Sequence, residues 1–149
     1  NKTTMKNAEN LLYELNHSTL FLQHNNLEIT EIKPGYAKIE LHVDPKVLNP
    51  YGIVHGGILF SMADTAAGTA CLASGRECVT LNSSINFIKP GHGKKIIGIA
   101  QEISSGRSTC IYDVSLYNED HTLISRSTFT MYCLDADHKK RIHEKSCHK

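Results

Sequence analysis

The stretch Asn49–Asp64 carries most of the groups in this chain that could do chemistry. Asp64 stands among small and apolar neighbours, with Phe60 four positions before it and Ala67 and Gly68 three and four after. On a helix these residues share one stripe. A carboxylate on a buried apolar stripe is costly unless it is paired or used. Alternatively, the stripe borders solvent and Asp64 is a surface residue. His55-Gly56-Gly57 opens the same segment. Paired glycines let a ligand approach the backbone. The free N–H groups of a first helical turn, with the helix dipole, favour negative charge. That suits the oxyanion of an acyl transfer. Without a ligand the same residues are a plain loop-to-helix turn, with His55 a capping or packing residue.

Distance constrains how these groups work together. Gly56 and Asp64 are eight positions apart, which is about 12 Å along a helix. One carbonyl carbon cannot meet both. If both act on one bond, they come from two chains, and a dimer with antiparallel central helices is expected. Asn49, in the loop before the helix, is a candidate to orient a water or hold a carbonyl. Thr80 begins an alternating polar face with Asn82, Ser84 and Asn86, which looks either into a site or at solvent.

The elements that position these groups follow from periodicity and breakers. Residues 6–24 read as one or two short helices, with Leu11, Leu12, Leu15, Leu20, Phe21 and Leu22 as apolar positions. Leu27–Lys33 is a strand closed by Pro34-Gly35. Tyr36–Val43 alternates, with Ala37, Ile39, Leu41 and Val43 on one side, as a half-buried antiparallel strand does. After a loop over Asp44–Val54, the segment Gly56–Ser74 is small or apolar all round except at Asp64, the mark of a buried helix, and Gly75 ends it. Strands are expected over Cys78–Ile88, Lys95–Ile103, Thr109–Tyr117 and Thr122–Leu134, with a hairpin at Asn118–His121. The class is therefore α+β. Helix, two strands, one long buried helix and four strands suit an antiparallel sheet curled around that helix, the hotdog fold. A sandwich with the helix on one sheet face is the other arrangement that this order allows.

Composition narrows the function. The chain has 149 residues with 40% hydrophobic and 21% charged residues, as one soluble domain would have. A net charge of +1 gives no electrostatic reason to expect nucleic acid or a membrane surface as partner. No signal pattern or membrane-length apolar run is seen. The five cysteines, Cys71, Cys78, Cys110, Cys133 and Cys147, are scattered without a Cys-x-x-Cys pair. Reduced thiols in a cytoplasmic protein are expected, with neither a zinc ribbon nor a disulfide framework. His138, His143, Cys147 and His148 near the end match no metal spacing, so no metal is expected.

The run Asn49-Pro-Tyr-Gly-Ile-Val-His55-Gly56-Gly57-Ile-Leu-Phe60-Ser-Met-Ala63-Asp64 resembles the signature of the PaaI-type hotdog thioesterases. The resemblance continues through Val79–Pro90 and Ser105-Gly106-Arg107 to about Leu134. It implies a hotdog domain, taken as 27–135; the helical segment at 1–26 and the polar basic tail at 136–149, expected from its composition to be poorly ordered, flank it and are not diagnostic. It implies hydrolysis of an acyl-CoA to free acid and CoA without a cofactor, in homodimers that pair into homotetramers. By position, Asp64 is implied as nucleophile or general base. The N–H of Gly56 or Gly57 is implied as the group polarising the thioester oxygen, and Asn49 positions water or substrate. Thr80 supplies a hydroxyl near the carboxylate, and His55 has a supporting role. The CoA phosphates need positive charge, for which Lys89, Lys94, Lys95 and above all Arg107 are candidates. Two rival readings share the fold: a hydratase, which would need an acid beside Asn49 and His55, and a non-catalytic acyl-CoA sensor.

Overall fold

The computed structural model describes residues 2–134, with side chains from Asn7 onward. The expected tail at 136–149, with its histidines and Cys147, lies outside them. Helices α1 (Lys2–Ser18) and α2 (Leu20–His24) come first. Strands β1 (Leu27–Lys33) and β2 (Tyr36–His42) follow as a hairpin. A single 3-10 turn, Pro45–Val47, interrupts the next loop, capped by the Asp44 side chain. The central helix α3 runs Gly56–Ala73. It stops before Gly75, whose φ of +83° is the left-handed conformation that a glycine adopts without strain. Then come β3 (Cys78–Phe87), β4 (Lys95–Ser105), β5 (Thr109–Asn118) and β6 (Leu123–Cys133). β4 runs two residues past its expected end because a bulge at Ile103 lets it continue to pair with β5.

The six strands form one antiparallel sheet in the order β1-β2-β4-β5-β6-β3. α3 packs against all of them, the edge strands included. A flat sheet would touch a helix only over its middle strands. Contact with both edges requires the sheet to curl, so the hotdog arrangement holds and the one-faced sandwich does not.

Small residues make the close wrap possible. Ala63, Ala66, Ala67 and Ala70 of α3 are fully buried. Opposite them are the inward sides of alternating strands, including Ala37, Ile39 and Leu41 of β2 and Tyr112, Val114 and Leu116 of β5. On β4 a Cβ on Gly98 would come within 3.1 Å of Met62 on α3, and within 2.8 Å of Ile39 and 2.9 Å of Leu116 on the flanking strands. The helix is not buried all round, however. Gly57 and Phe60 are exposed, and Ser61, Asp64, Thr65 and Gly68 are half-buried. Asp64, Thr65 and Gly68 border β3, where the sheet ends, whereas Gly57 and Ser61 face α2 and the loop at Lys46. Among the described residues, no helix is long and apolar enough to cross a membrane.

Phe129 on β6 is fully buried, with its ring 5.6 Å from that of Phe60. Phe129→Ala is expected to lower the unfolding free energy by about 3–5 kcal/mol. Urea denaturation followed by circular dichroism checks this.

Candidate active site

The Asp64 carboxylate is held from the neighbouring strand. Thr80 Oγ1 donates to Asp64 Oδ1 at 2.5 Å and also lies 3.7 Å from the Met131 sulfur. Thr80 reaches inward because it is paired with Met131 on the inner face of β6. The polar face expected from alternation is therefore broken. Leu81 is an extra residue between Thr80 and Asn82, so Asn82, Ser84 and Asn86 pair with Thr130, Thr128 and Arg126 on the outer face. A one-residue slip moves every following side chain to the other side. Of the four, only Thr80 belongs with Asp64.

At the other end of α3, His55 is the N-cap, and its Nδ1 accepts the Gly57 N–H at 2.8 Å. That bond engages the Gly57 amide. Ile58 and Leu59 both donate to the His55 carbonyl. The Gly56 N–H is left without an acceptor among the described residues, and a Cβ there would lie 3.5 Å from the Phe87 ring. Of the two amides that the sequence leaves open, Gly56 is the available one. Asn49 organises the preceding loop. Its Oδ1 accepts from the N–H groups of Tyr51 and Ile53, at 2.9 and 3.3 Å. With that oxygen occupied, its Nδ2 amide remains as a donor, which suits a carbonyl oxygen better than a water proton.

The two ends face different cavities. One, of about 430 Å³, contains Asp64, Thr80 and Met131 within an apolar wall that includes Leu15, Leu72 and Leu134. The other, of about 320 Å³, holds Asn49, Gly56, Phe87 and Lys89. They share no lining residue. His55 and Gly57 line neither and face a third hollow, of about 330 Å³, beside Lys46 and Ser61.

Comparison with known proteins assigns the family. A sequence model described as the thioesterase superfamily matches residues 51–125. A putative esterase of Archaeoglobus fulgidus is 34% identical over 73% of this chain and 71% of its own. The Escherichia coli acyl-coenzyme A thioesterase PaaI is 32% identical over 66% of this chain and 71% of its own. The chain belongs to the PaaI-type hotdog thioesterases.

Solved structures agree. The E. coli PaaI protein, 25% identical in the superposition, aligns with a TM-score of 0.80 over 89% of this chain and 95% of its own. A Streptococcus pneumoniae thioesterase determined with coenzyme A aligns at 0.70, with 34% identity over 73% of this chain and 86% of its own. Structures of alanine variants of that protein replace an aspartate and a threonine sixteen positions apart, the separation of Asp64 and Thr80 here. This thioesterase is therefore a thioester hydrolase, which favours hydrolysis over the sensor and hydratase readings.

The cations of this thioesterase distribute differently from the sequence reading. Lys89 lines the Gly56 cavity. Lys95 pairs with Glu40 at 3.3 Å. Arg107 lines neither cavity. Its turn is held next to the Asp64 end of the sheet by Arg76, which donates to the carbonyls of Gly106 and Arg107 at 2.6 and 2.7 Å. Arg76 and Leu15 were not legible as site residues. One looks like a surface charge and the other like a core position, and only the fold brings them close to the site.

His55→Ala is expected to cost about 1 kcal/mol of stability through loss of the helix cap. It should leave the fold intact, as chemical unfolding and a far-ultraviolet spectrum will report.

Proposed function

We propose that this chain hydrolyses acyl-CoA thioesters in sites completed by two copies of itself. The observation that carries this reading is the separation of the Gly56 and Asp64 cavities at opposite ends of one helix. Each is half of a site. Between them runs β3, an edge strand whose outer backbone is unpaired and whose Leu81 and Phe87 are 62% and 54% exposed. Such an edge invites pairing with another strand. The Asp64 end of α3 lies over Thr80, and the Gly56 end lies against Phe87. Antiparallel pairing of two β3 strands about a two-fold between Ser83 and Ser84 sets Thr80 of one copy opposite Phe87 of the other. Asp64 of one copy then approaches Gly56 of the second. The symmetry of an isologous dimer produces two identical sites.

The chemistry follows from these parts. In each site the Gly56 N–H, with the Asn49 Nδ2 amide beside it, donates to the thioester oxygen as charge builds there. Asp64 of the second copy attacks the carbonyl carbon directly or takes the proton of an attacking water. Thr80 holds one oxygen of that carboxylate and leaves the other free for the reaction. Collapse breaks the carbon–sulfur bond and releases CoA as the thiol; on the water route the acid forms in the same step, whereas direct attack leaves an acyl–Asp64 anhydride that water then hydrolyses to free the acid. The apolar wall of Leu15, Leu72, Met131 and Leu134 accommodates the acyl group, and Lys89 and Arg107 meet the CoA phosphates. The helical segment of residues 1–26 thus belongs functionally with the hotdog domain, since it supplies Leu15.

Release of CoA thiol from a panel of acyl-CoAs is the direct test. Asp64→Asn is expected to lose at least about 100-fold in turnover, and Asn49→Ala is expected to fall markedly as well. Mixed in equal amounts, unfolded and refolded together, the two impaired variants should rise to about a quarter of wild-type activity, because half of the dimers are mixed and each of those holds one of its two sites with both groups intact. No recovery would place the site within one chain. Leu15→Ala should shift the preference towards bulkier acyl groups, seen as a change in relative kcat/KM across the panel.

A further inference from the structure

The cysteines that are scattered in sequence converge in space. Cys71 lies in the last turns of α3, Cys110 near the start of β5 and Cys133 at the end of β6. Their sulfur atoms all lie within 4.8 Å of one another, with Cys110 and Cys133 at 3.4 Å. Cys78 stands directly opposite Cys133 on β3. Four thiols thus gather on the inner face at one end of the sheet, beneath the C-terminal end of α3.

We propose that Cys71, Cys110 and Cys133 hold a thiophilic d10 metal ion, with Cys78 available as a fourth ligand. Three sulfurs bound at ~2.3 Å to one ion are about 4 Å apart, and the observed spacings bracket that value. Thiolates select soft ions such as Zn2+ and Cu+ over hard ones.

Two further features fit a charged sulfur site better than an apolar core. The Arg76 guanidinium donates to Cys110 Sγ at 3.3 Å, and the Ser105 hydroxyl lies 3.4 Å from the same atom. A cation against sulfur stabilises thiolate and offsets the charge of a ligand set. Tyr112 is fully buried, and its hydroxyl faces the Cys71 thiol with no oxygen or nitrogen acceptor in reach. A buried O–H without a good acceptor is costly, and a neutral thiol is a weak one. A metal-bound Cys71 thiolate beside it would accept that proton. The ion would tie α3 to β5 and β6. Its fourth position, Cys78, borders the Asp64 cavity, but none of the proposed hydrolytic steps uses the ion.

The test uses the reduced, chelator-washed full-length chain, titrated without oxygen with Cd2+, whose thiolate complexes absorb in the ultraviolet. A band saturating at one Cd2+ per chain is expected, with a rise in Tm as metal is added. Either Zn2+ or Cu+ should discharge the band, and the one that does so at lower concentration is the preferred ion. Cys133→Ser, at a half-buried position, should lose the band, whereas Cys147→Ser should retain it. Absence of a saturating band in the wild-type chain overturns the proposal, whatever the variants do. So does a band that survives Cys133→Ser, or one that neither ion displaces.

Discussion

Contact between α3 and a sheet that closes around it governs the rest of this molecule. The helix buries a broad small-residue surface, Ala63, Ala66, Ala67 and Ala70, against all six strands. Larger side chains would push the sheet away, and the glycine at 98 shows how little space is left. Interiors packed this closely leave few alternatives for the helix axis or rotation. The axis in turn fixes where His55, Gly56 and Asp64 point. These candidate groups therefore inherit their positions from packing rather than from the loops around them.

The wrap stops at β3, and that incompleteness has consequences. An edge strand with apolar side chains on its surface is a liability for a lone chain. Here the part of α3 left uncovered at Asp64, Thr65 and Gly68 runs beside that edge. The polar groups suited to thioester chemistry lie along the same margin, at its two ends. A second copy would cover the apolar surface and bring the two ends together. On that reading one surface serves both stability and chemistry, so the pressure to hide β3 and the need for a carboxylate opposite an oxyanion donor have one solution.

The sulfur cluster lies at the C-terminal end of α3, next to the Asp64 cavity. Burial pushes the Cys133 thiol up to about 12. For Cys110 burial also acts upward, but hydrogen bonds from Ser105 and Cys133 and the charge of Arg76 outweigh it and hold this thiol below its usual value. The Arg76 guanidinium and the Ser105 hydroxyl beside Cys110 bring polar groups to this otherwise apolar part of the core. Arg76 links this cluster to the β4–β5 turn that carries Arg107, so the turn and the thiols are ordered together.

Sequence alone determined whatever depends on near neighbours in the chain. The alternation of β2 and β5, the helix between His55 and Gly75, and the hairpin breakers are local, and each emerged within a residue or two. The compact motif from Asn49 to Asp64 was legible for the same reason, since its spacing lies within one loop and one helix. Tertiary structure alone decided the rest. The bulge at Leu81 separated Thr80 from Asn82, Ser84 and Asn86, because a bulge is a property of two paired strands and not of one. The His55 ring engaged the Gly57 amide and left Gly56 available. Leu15 reached the Asp64 cavity, and cysteines up to sixty-two positions apart met within 4.8 Å. Those outcomes depend on which strands pair, and at what register, across long stretches of chain. Spacing in the sequence carries almost no information about such contacts, because the chain between them is free to fold them together or apart.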